Sequence, residues 1–170
     1  MVGLNSLSYF WTKRTPDGTA ADVARIVRHY RAAWRTPRVL LIGYSRGAEV
    51  LPILASRLPA DLRDAVRLVA LLGPERTTDF EFHLTDWLGG DDPSELPIAP
   101  EVAKLRGLRV LCVQGANEDD SLCPLLDAEL AQRFVLPGGH HFGGDYDVIA
   151  ARILAEAGVS PQAPDGKAAP

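Results

Sequence analysis

The residues at positions 43–47 have the types and spacing of a serine nucleophile. They read Gly43-Tyr44-Ser45-Arg46-Gly47, after an apolar run at 39–42 and before a helix-like run at 48–58. A Gly-x-Ser-x-Gly motif on a sharp strand-to-helix turn strains the serine backbone and raises its hydroxyl above the sheet, where a base can reach it. A Cβ at either glycine is expected to collide with the neighbouring strand or helix. The backbone N–H of Arg46 would then stabilise a developing oxyanion.

A serine hydroxyl needs a neighbouring base, and histidine is the usual one. The four histidines are His29, His83, His140 and His141. The first lies in an amphipathic helix, and the second precedes every suitable acid. The pair at 140–141 follows the last predicted strand through a flexible Pro137-Gly138-Gly139 loop. Residues 137–142 resemble the Pro-Gly-x-Gly-His-Phe pattern of small serine hydrolases, so His141 is the preferred base and His140 the alternative.

The acid that orients the base should follow the strand before the histidines, because the chain order at such sites is Ser, acid, His. The turn after the predicted strand at 108–113 offers three carboxylates: Glu118, Asp119 and Asp120. The stretch 120–124 resembles the Asp-Pro-x-Val-Pro segment that begins after the acid in many hydrolases. Asp120 is therefore the preferred acid and Asp119 the next choice, while a solvated acidic loop is the simpler alternative.

The elements that would hold these residues alternate between strands and helices. Strands are predicted at 2–7, 39–42, 66–72, 108–113 and 134–136, and helices at 20–34, 48–58, 122–131 and 148–157. This alternation predicts an α/β domain over 1–159, with a mainly parallel sheet and helices on both faces. Ligand sites in such sheets lie beyond the carboxyl ends of the strands, where the candidate residues fall. Residues 160–170 are rich in Pro and Ala and are predicted to be a disordered tail.

Composition excludes several function classes. The chain has 170 residues and a formal net charge of −4, which disfavours nucleic acid as a partner. No apolar run approaches the roughly 20 residues of a membrane span, and the first residues do not resemble a signal peptide. The two cysteines, Cys112 and Cys123, suggest buried free thiols, since a disulfide needs an oxidising compartment. Ligand spacing does not favour zinc, and no metal or organic cofactor is expected.

Four motifs together resemble the VirJ/AcvB family of bacterial virulence-associated serine hydrolases. They lie at 5–11, 43–52, 80–83 and 136–146, and the last, Leu136-Pro137-Gly138-Gly139-His140-His141-Phe142-Gly143-Gly144-Asp145-Tyr146, is the most specific. The resemblance implies a periplasmic protein with the α/β-hydrolase fold that hydrolyses the aminoacyl ester of lysyl- or alanyl-phosphatidylglycerol. It also implies a link of some members to type IV secretion. A periplasmic location would allow a disulfide between Cys112 and Cys123.

The sequence departs from this family at its start. Members carry an earlier strand that ends in a Ser-Gly-Asp-Gly-Gly-Trp-like loop, and the present chain begins after it, so it is expected to be N-terminally truncated relative to the family. That loop supplies the second donor of the oxyanion hole. Removing one such donor costs about 10²–10³ in rate.

Aromatic residues are candidates for a substrate pocket, with core packing as the equal alternative. The candidates are Tyr9, Trp11, Tyr44, Phe82 and Trp87. Acidic residues in the same irregular region could attract a substrate ammonium group, although a solvated loop is the simpler interpretation: Glu81, Asp86, Asp91 and Asp92. The sequence thus predicts a serine esterase with Ser45 as the nucleophile, His141 as the base and Asp120 as the acid. A non-catalytic partner in an envelope or secretion assembly is the alternative.

Overall fold

The computed structural model describes residues 1–78, 80 and 96–159. Its helices are α1 (Ser6–Tyr9), α2 (Pro16–Trp34), α3 (Arg46–Ser56), α4 (Ala60–Arg63), α5 (Ala99–Ala103) and α6 (Tyr146–Glu156). Its strands are β1 (Val39–Tyr44), β2 (Val66–Leu72), β3 (Thr77–Thr78), β4 (Leu96–Pro97), β5 (Val110–Gly115) and β6 (Gln132–Leu136). Short 3₁₀ turns lie at Cys123–Leu125 and Phe142–Gly144.

Within the described residues the main sheet has four strands in the order β1-β2-β5-β6, and every neighbouring pair is parallel. A separate antiparallel pair, β3 with β4, brackets residues 79–95. Parallel strands need crossover connections, and the helices that follow β1 and precede β5 provide them. The carboxyl ends of β1, β2, β5 and β6 therefore meet at one edge of the sheet. The predicted α/β architecture is confirmed.

Helices cover both faces of this sheet. On one face α2, α3 and α5 pack over a cluster that includes Val69, Leu71 and Cys112. On the other, α6 covers Ala70, Leu111 and Val113 with its buried Ile149 and Ile153. Successive residues of β2 and β5 enter opposite clusters because side chains alternate along a strand. Both strands are nearly all buried, which explains their continuous apolar sequences.

Strand β1 differs from this pattern. Its apolar sequence predicts an interior strand, yet it lies at the edge of the described sheet, and Ile42 is 48% exposed. An apolar run reports burial on two faces and carries no information about which strands pair on either side.

Two further predictions are wrong. Residues 2–7 form no strand: the chain is irregular to Asn5, whose side chain then caps α1 by accepting from the N–H of Ser8. An Asn that caps a helix competes locally with an extended conformation. The helix predicted at 122–131 is only a 3₁₀ turn, Cys123–Leu125, in which Pro124 follows the first residue. The predicted tail at 160–170 lies outside the described residues. Within the described residues, no helix is both long enough and apolar enough to cross a membrane.

Candidate active site

Ser45 occupies a strained turn between β1 and α3. Its backbone has φ 51° and ψ −127°, in a region that residues with a Cβ rarely adopt. The turn is fixed because the N–H of Ser45 donates to the carbonyl oxygen of Leu72 at 2.8 Å, while its own carbonyl accepts from Ala48 and Glu49 in the first turn of α3. Its hydroxyl makes no capping bond to the helix, so it remains available for chemistry.

One of the two flanking glycines is required by close packing. A Cβ built on Gly43 would lie 2.3 Å from the carbonyl oxygen of Gly47, a distance that no side chain tolerates. The prediction is wrong for Gly47 itself, since a Cβ there would meet none of the described atoms within 4 Å. Among the described residues, the turn therefore excludes a side chain at Gly43 and accepts one at Gly47.

His140 lies beside this turn. A Cβ built on Gly73 would be 2.9 Å from Cε1 of His140, so the imidazole rests on the glycine that directly follows β2. Its ring centre is 5.2 Å from that of Tyr44, the residue before the serine. Since Leu72 receives the Ser45 N–H and Gly73 contacts His140, the end of β2 holds both residues in one region. No hydrogen bond joins the Ser45 hydroxyl to the imidazole of His140 or His141.

Glu118 is the carboxylate that meets the imidazole. Its Oε1 lies 2.7 Å from Nδ1 of His140, and its side chain is only 13% exposed. The turn that carries Glu118 is bonded directly to the histidine loop, because Ala116 and Asn117 donate their N–H groups to the carbonyls of Leu136 and Gly138. The Glu118 carboxylate also accepts from the N–H of Gly115.

The predicted pair of Asp120 and His141 does not come together. Asp120 is exposed, and His141 is exposed with its Nδ1 at 2.9 Å from the hydroxyl of Tyr44. The alternative acid, Asp119, is also exposed, and its carbonyl accepts from Arg76. These two carboxylates lie past the turn at 115–118 and so beyond the part that is bonded to the histidine loop.

Sequence reasoning missed Glu118 as the partner, although a signal was present. Gly115 ends β5, and Glu118 closes the tight turn that starts there, with its N–H bonded to the Gly115 carbonyl. The first carboxylate after a strand stays nearest the carboxyl edge of the sheet. Its longer side chain also reaches further than an aspartate would.

A disulfide anchors the loop that carries these acids. Cys112 on β5 and Cys123 in the following 3₁₀ turn are bonded, and both are buried. The loop is further held by the hydroxyl of Ser121, which donates a hydrogen bond to Oε1 of Gln114 and accepts one from the N–H of Cys123. The interpretation of two free thiols is therefore wrong. It failed because the distance between residues 112 and 123 depends on how the chain turns after β5.

The aromatic candidates are divided between different places. Tyr44 lies next to both imidazoles, and burial, followed by the charges of Tyr146 and Glu118, raises its pKa. Tyr9 instead packs on α2 and donates its hydroxyl to Asp22. Trp11 is 64% exposed. Phe82 and Trp87, with the acidic residues between 81 and 92, lie outside the described residues.

An apolar cavity of about 320 Å³ opens beside Tyr44. It is lined by Tyr44, Leu72, Phe142, Tyr146, Ile149, Ala150 and Ile153. It runs from the carboxyl ends of β1 and β2 along α6 and therefore adjoins the region of Ser45 and His140. Within the described part of the chain, no three side chains of metal-binding type cluster.

Comparison with known proteins supports the same fold. A thioesterase domain from the curacin biosynthetic pathway is 12% identical, with a TM-score of 0.55 over 83% of this chain and 73% of that one. A proline iminopeptidase of Mycobacterium smegmatis is 10% identical, with a TM-score of 0.55 over 91% of this chain and 74% of that one. A CIB-like hydrolase of Thermoplasma acidophilum is 14% identical, with a TM-score of 0.49 over 82% of this chain and 60% of that one. The present chain thus spans about three fifths to three quarters of these hydrolases.

The parallel sheet, the strained serine turn and the two neighbours with TM-scores of 0.55 define an α/β-hydrolase fold. No curated protein matches the sequence. The family model described as bacterial virulence protein (VirJ) matches residues 1–159, and the chain belongs to this family.

Proposed function

We propose that this chain is a serine hydrolase in which Ser45 is the nucleophile, His140 the base and Glu118 the acid. The contact between Glu118 and Nδ1 of His140, beside a strained Ser45, is the observation that carries the proposal. A carboxylate on Nδ1 leaves Nε2 as the nitrogen that takes the serine proton. This assignment replaces the sequence-based choice of Asp120 and His141.

The reaction follows from these positions. The Ser45 oxygen attacks the ester carbonyl as His140 takes its proton, and the N–H of Arg46 at the start of α3 stabilises the oxyanion. His140 then protonates the leaving alcohol, and an acyl-enzyme remains. Water, deprotonated by the same imidazole, attacks the acyl-enzyme, and the imidazolium returns this proton to the Ser45 oxygen as the acid leaves. Glu118 holds the imidazole in one tautomer and stabilises its cationic form without being protonated itself.

The proposed substrate is the aminoacyl ester of lysyl- or alanyl-phosphatidylglycerol, and the proposed location is the periplasm. Membership of the virulence protein family supports this choice. The Cys112–Cys123 disulfide supports an oxidising compartment. The apolar cavity beside Tyr44 offers room for an apolar part of a lipid substrate. A connection with type IV secretion proteins belongs to the same proposal.

Labelling with a fluorophosphonate probe and hydrolysis of lysyl-phosphatidylglycerol in vesicles test the two parts of the proposal. Wild-type protein should label and release free lysine, and Ser45→Ala should do neither while keeping its fold. Ser8→Ala, which removes an exposed hydroxyl on α1, is the matched control and should behave as wild type. Labelling without lysine release would contradict the substrate and leave the hydrolase standing. Absence of labelling would favour the non-catalytic partner.

A further inference from the structure

Glu49 is a buried carboxyl group that the proposed reaction does not use. It lies in the first turn of α3 and is only 7% exposed. Its backbone N–H donates to the carbonyl oxygen of Ser45 at 3.1 Å, so the residue belongs to the same turn of helix as the nucleophile. Carboxylates are rarely buried without a specific set of partners.

The partners of this carboxyl lie on the segment that follows β2, residues 73–78, which we name the bridging segment. The hydroxyl of Thr78 donates to Oε2 of Glu49 at 3.3 Å, and the charge of Glu75 acts on the same carboxyl. The Thr78 hydroxyl is a donor, so this bond strengthens when the carboxyl is ionised. The Glu49 side chain thus ties α3 to the bridging segment.

The opposite side of the bridging segment supports the base and the acid loop. Gly73 underlies the His140 imidazole. The carbonyl of Pro74 accepts from the N–H of Leu122 at 2.9 Å. Arg76 donates to the carbonyl of Asp119 at 3.0 Å. The bridging segment therefore stands between the helix that begins at Ser45 and the loops that carry Glu118 and His140.

We propose that Glu49 is a positioning residue, whose carboxyl holds the bridging segment on α3 and thereby sets the distance between Ser45 and the His140–Glu118 pair. The inference rests on the proposed hydrolase function. Displacements of about 1 Å in a reacting group can lower a rate by about 10²-fold, so a tie at this position has kinetic consequences.

The charge state of Glu49 gives the tie a pH dependence. Burial raises its pKa to about 7, and the negative charge of Glu75 adds to the rise. The Arg46 guanidinium, on the same helix, opposes the rise, as does the hydrogen bond from Thr78. Within the described residues these are the charged groups that act on the carboxyl. As pH rises through about 7, the Thr78 bond to the ionised carboxyl should strengthen, while the buried charge lowers the stability of the fold.

The test compares Glu49→Ala and Glu49→Gln with Glu101→Gln, measuring kcat and kcat/KM for a soluble ester between pH 5 and 9. Glu101 is the matched control because its carboxyl also ties α3 to another element, but at the far end, through Ser56 and Arg57. Glu49→Ala should lower kcat by about tenfold or more with little change in KM. Glu101→Gln should stay within about twofold of wild type.

The pH profile separates positioning from a structural role. In wild type, log kcat/KM should fall more steeply toward acid pH than in Glu49→Gln, because protonation of Glu49 adds to the loss there. If Glu49→Ala does not fold, the profile of Glu49→Gln decides the question. An active wild type whose profile and kcat match those of the Glu49 variants overturns this proposal alone. A wild type without hydrolase activity overturns the proposed function as well.

Discussion

His140 and His141 are neighbours in the chain, yet the structure gives them different surroundings. His140 rests on Gly73 and has a carboxylate, Glu118, at 2.7 Å from its Nδ1. His141 is exposed, and its Nδ1 faces the neutral hydroxyl of Tyr44. A carboxylate stabilises the imidazolium that forms during catalysis, and a phenol does so far less. The difference teaches that chemistry at this edge depends on contacts with other loops, which the motif around the two histidines does not encode.

Replacing each histidine in turn gives the largest expected difference. His140→Ala should lower kcat by about 10³-fold or more, because general-base catalysis is lost. His141→Ala should lose less than about tenfold, since only the contact with Tyr44 disappears. Steady-state kinetics on a short-chain ester measure both variants. The reverse order of effects would return the base to His141, as the sequence motif predicts.

The acids form a second matched pair with a somewhat smaller effect. Glu118→Gln should lower kcat by about 10²-fold or more, because an amide neither fixes the required tautomer nor stabilises the imidazolium. Asp120→Asn should leave kcat nearly unchanged, as the side chain is exposed. Fluorophosphonate labelling rates offer an independent measurement. Equal losses in the two variants would contradict the assignment of Glu118.

The disulfide should affect the stability of the loop that carries Glu118. Closing a loop with a sequence separation of 11 is worth about 3 kcal/mol in the chain-entropy model. The double variant Cys112→Ala with Cys123→Ala should therefore lower the melting temperature by roughly 10 °C in calorimetry. Reducing agent should shift wild type in the same direction and leave the double variant unchanged. A wild type insensitive to full reduction would show that the bond does not constrain this loop.

Glu49 gives an effect of similar size to that of the disulfide, visible only in the pH dependence of stability. Its pKa is about 7 in the folded protein and about 4.5 in the unfolded chain. Because the folded-state pKa is raised, the contribution of Glu49 is fully present below pH 4.5 and declines as pH rises to about 7. The decline approaches about 3 kcal/mol, since each unit of pKa difference corresponds to about 1.4 kcal/mol.

Urea unfolding of wild type and Glu49→Gln between pH 4 and 8 measures that decline as a difference between the two proteins. Glu49→Gln cannot ionise and should lack it. Parallel curves for the two proteins would show that Glu49 titrates normally. They would also contradict the pH dependence proposed for the contact between Glu49 and the bridging segment.

Much of the fold follows from local patterns. The strand at 66–72 has the predicted bounds, and the helix at 20–34 is extended only by a turn that Thr15 caps and Pro16 begins. The turn at Ser45 is where the motif places it. Residues 2–7 were misread because an apolar run at a chain end fits a strand, while a single Asn5 cap was enough to begin a helix.

The sequence by itself determined the alternation of strands and helices, the strained serine turn and the loops from which an acid and a base must come. Hydrophobic period and glycine spacing encode these features within a few residues. Only the tertiary structure decided that Glu118 meets His140, that Cys112 bonds Cys123 and that Glu49 is buried against the bridging segment. Each of these contacts joins loops that converge at the carboxyl edge of the sheet, and the direction of a side chain there is set by the packing of several strands together.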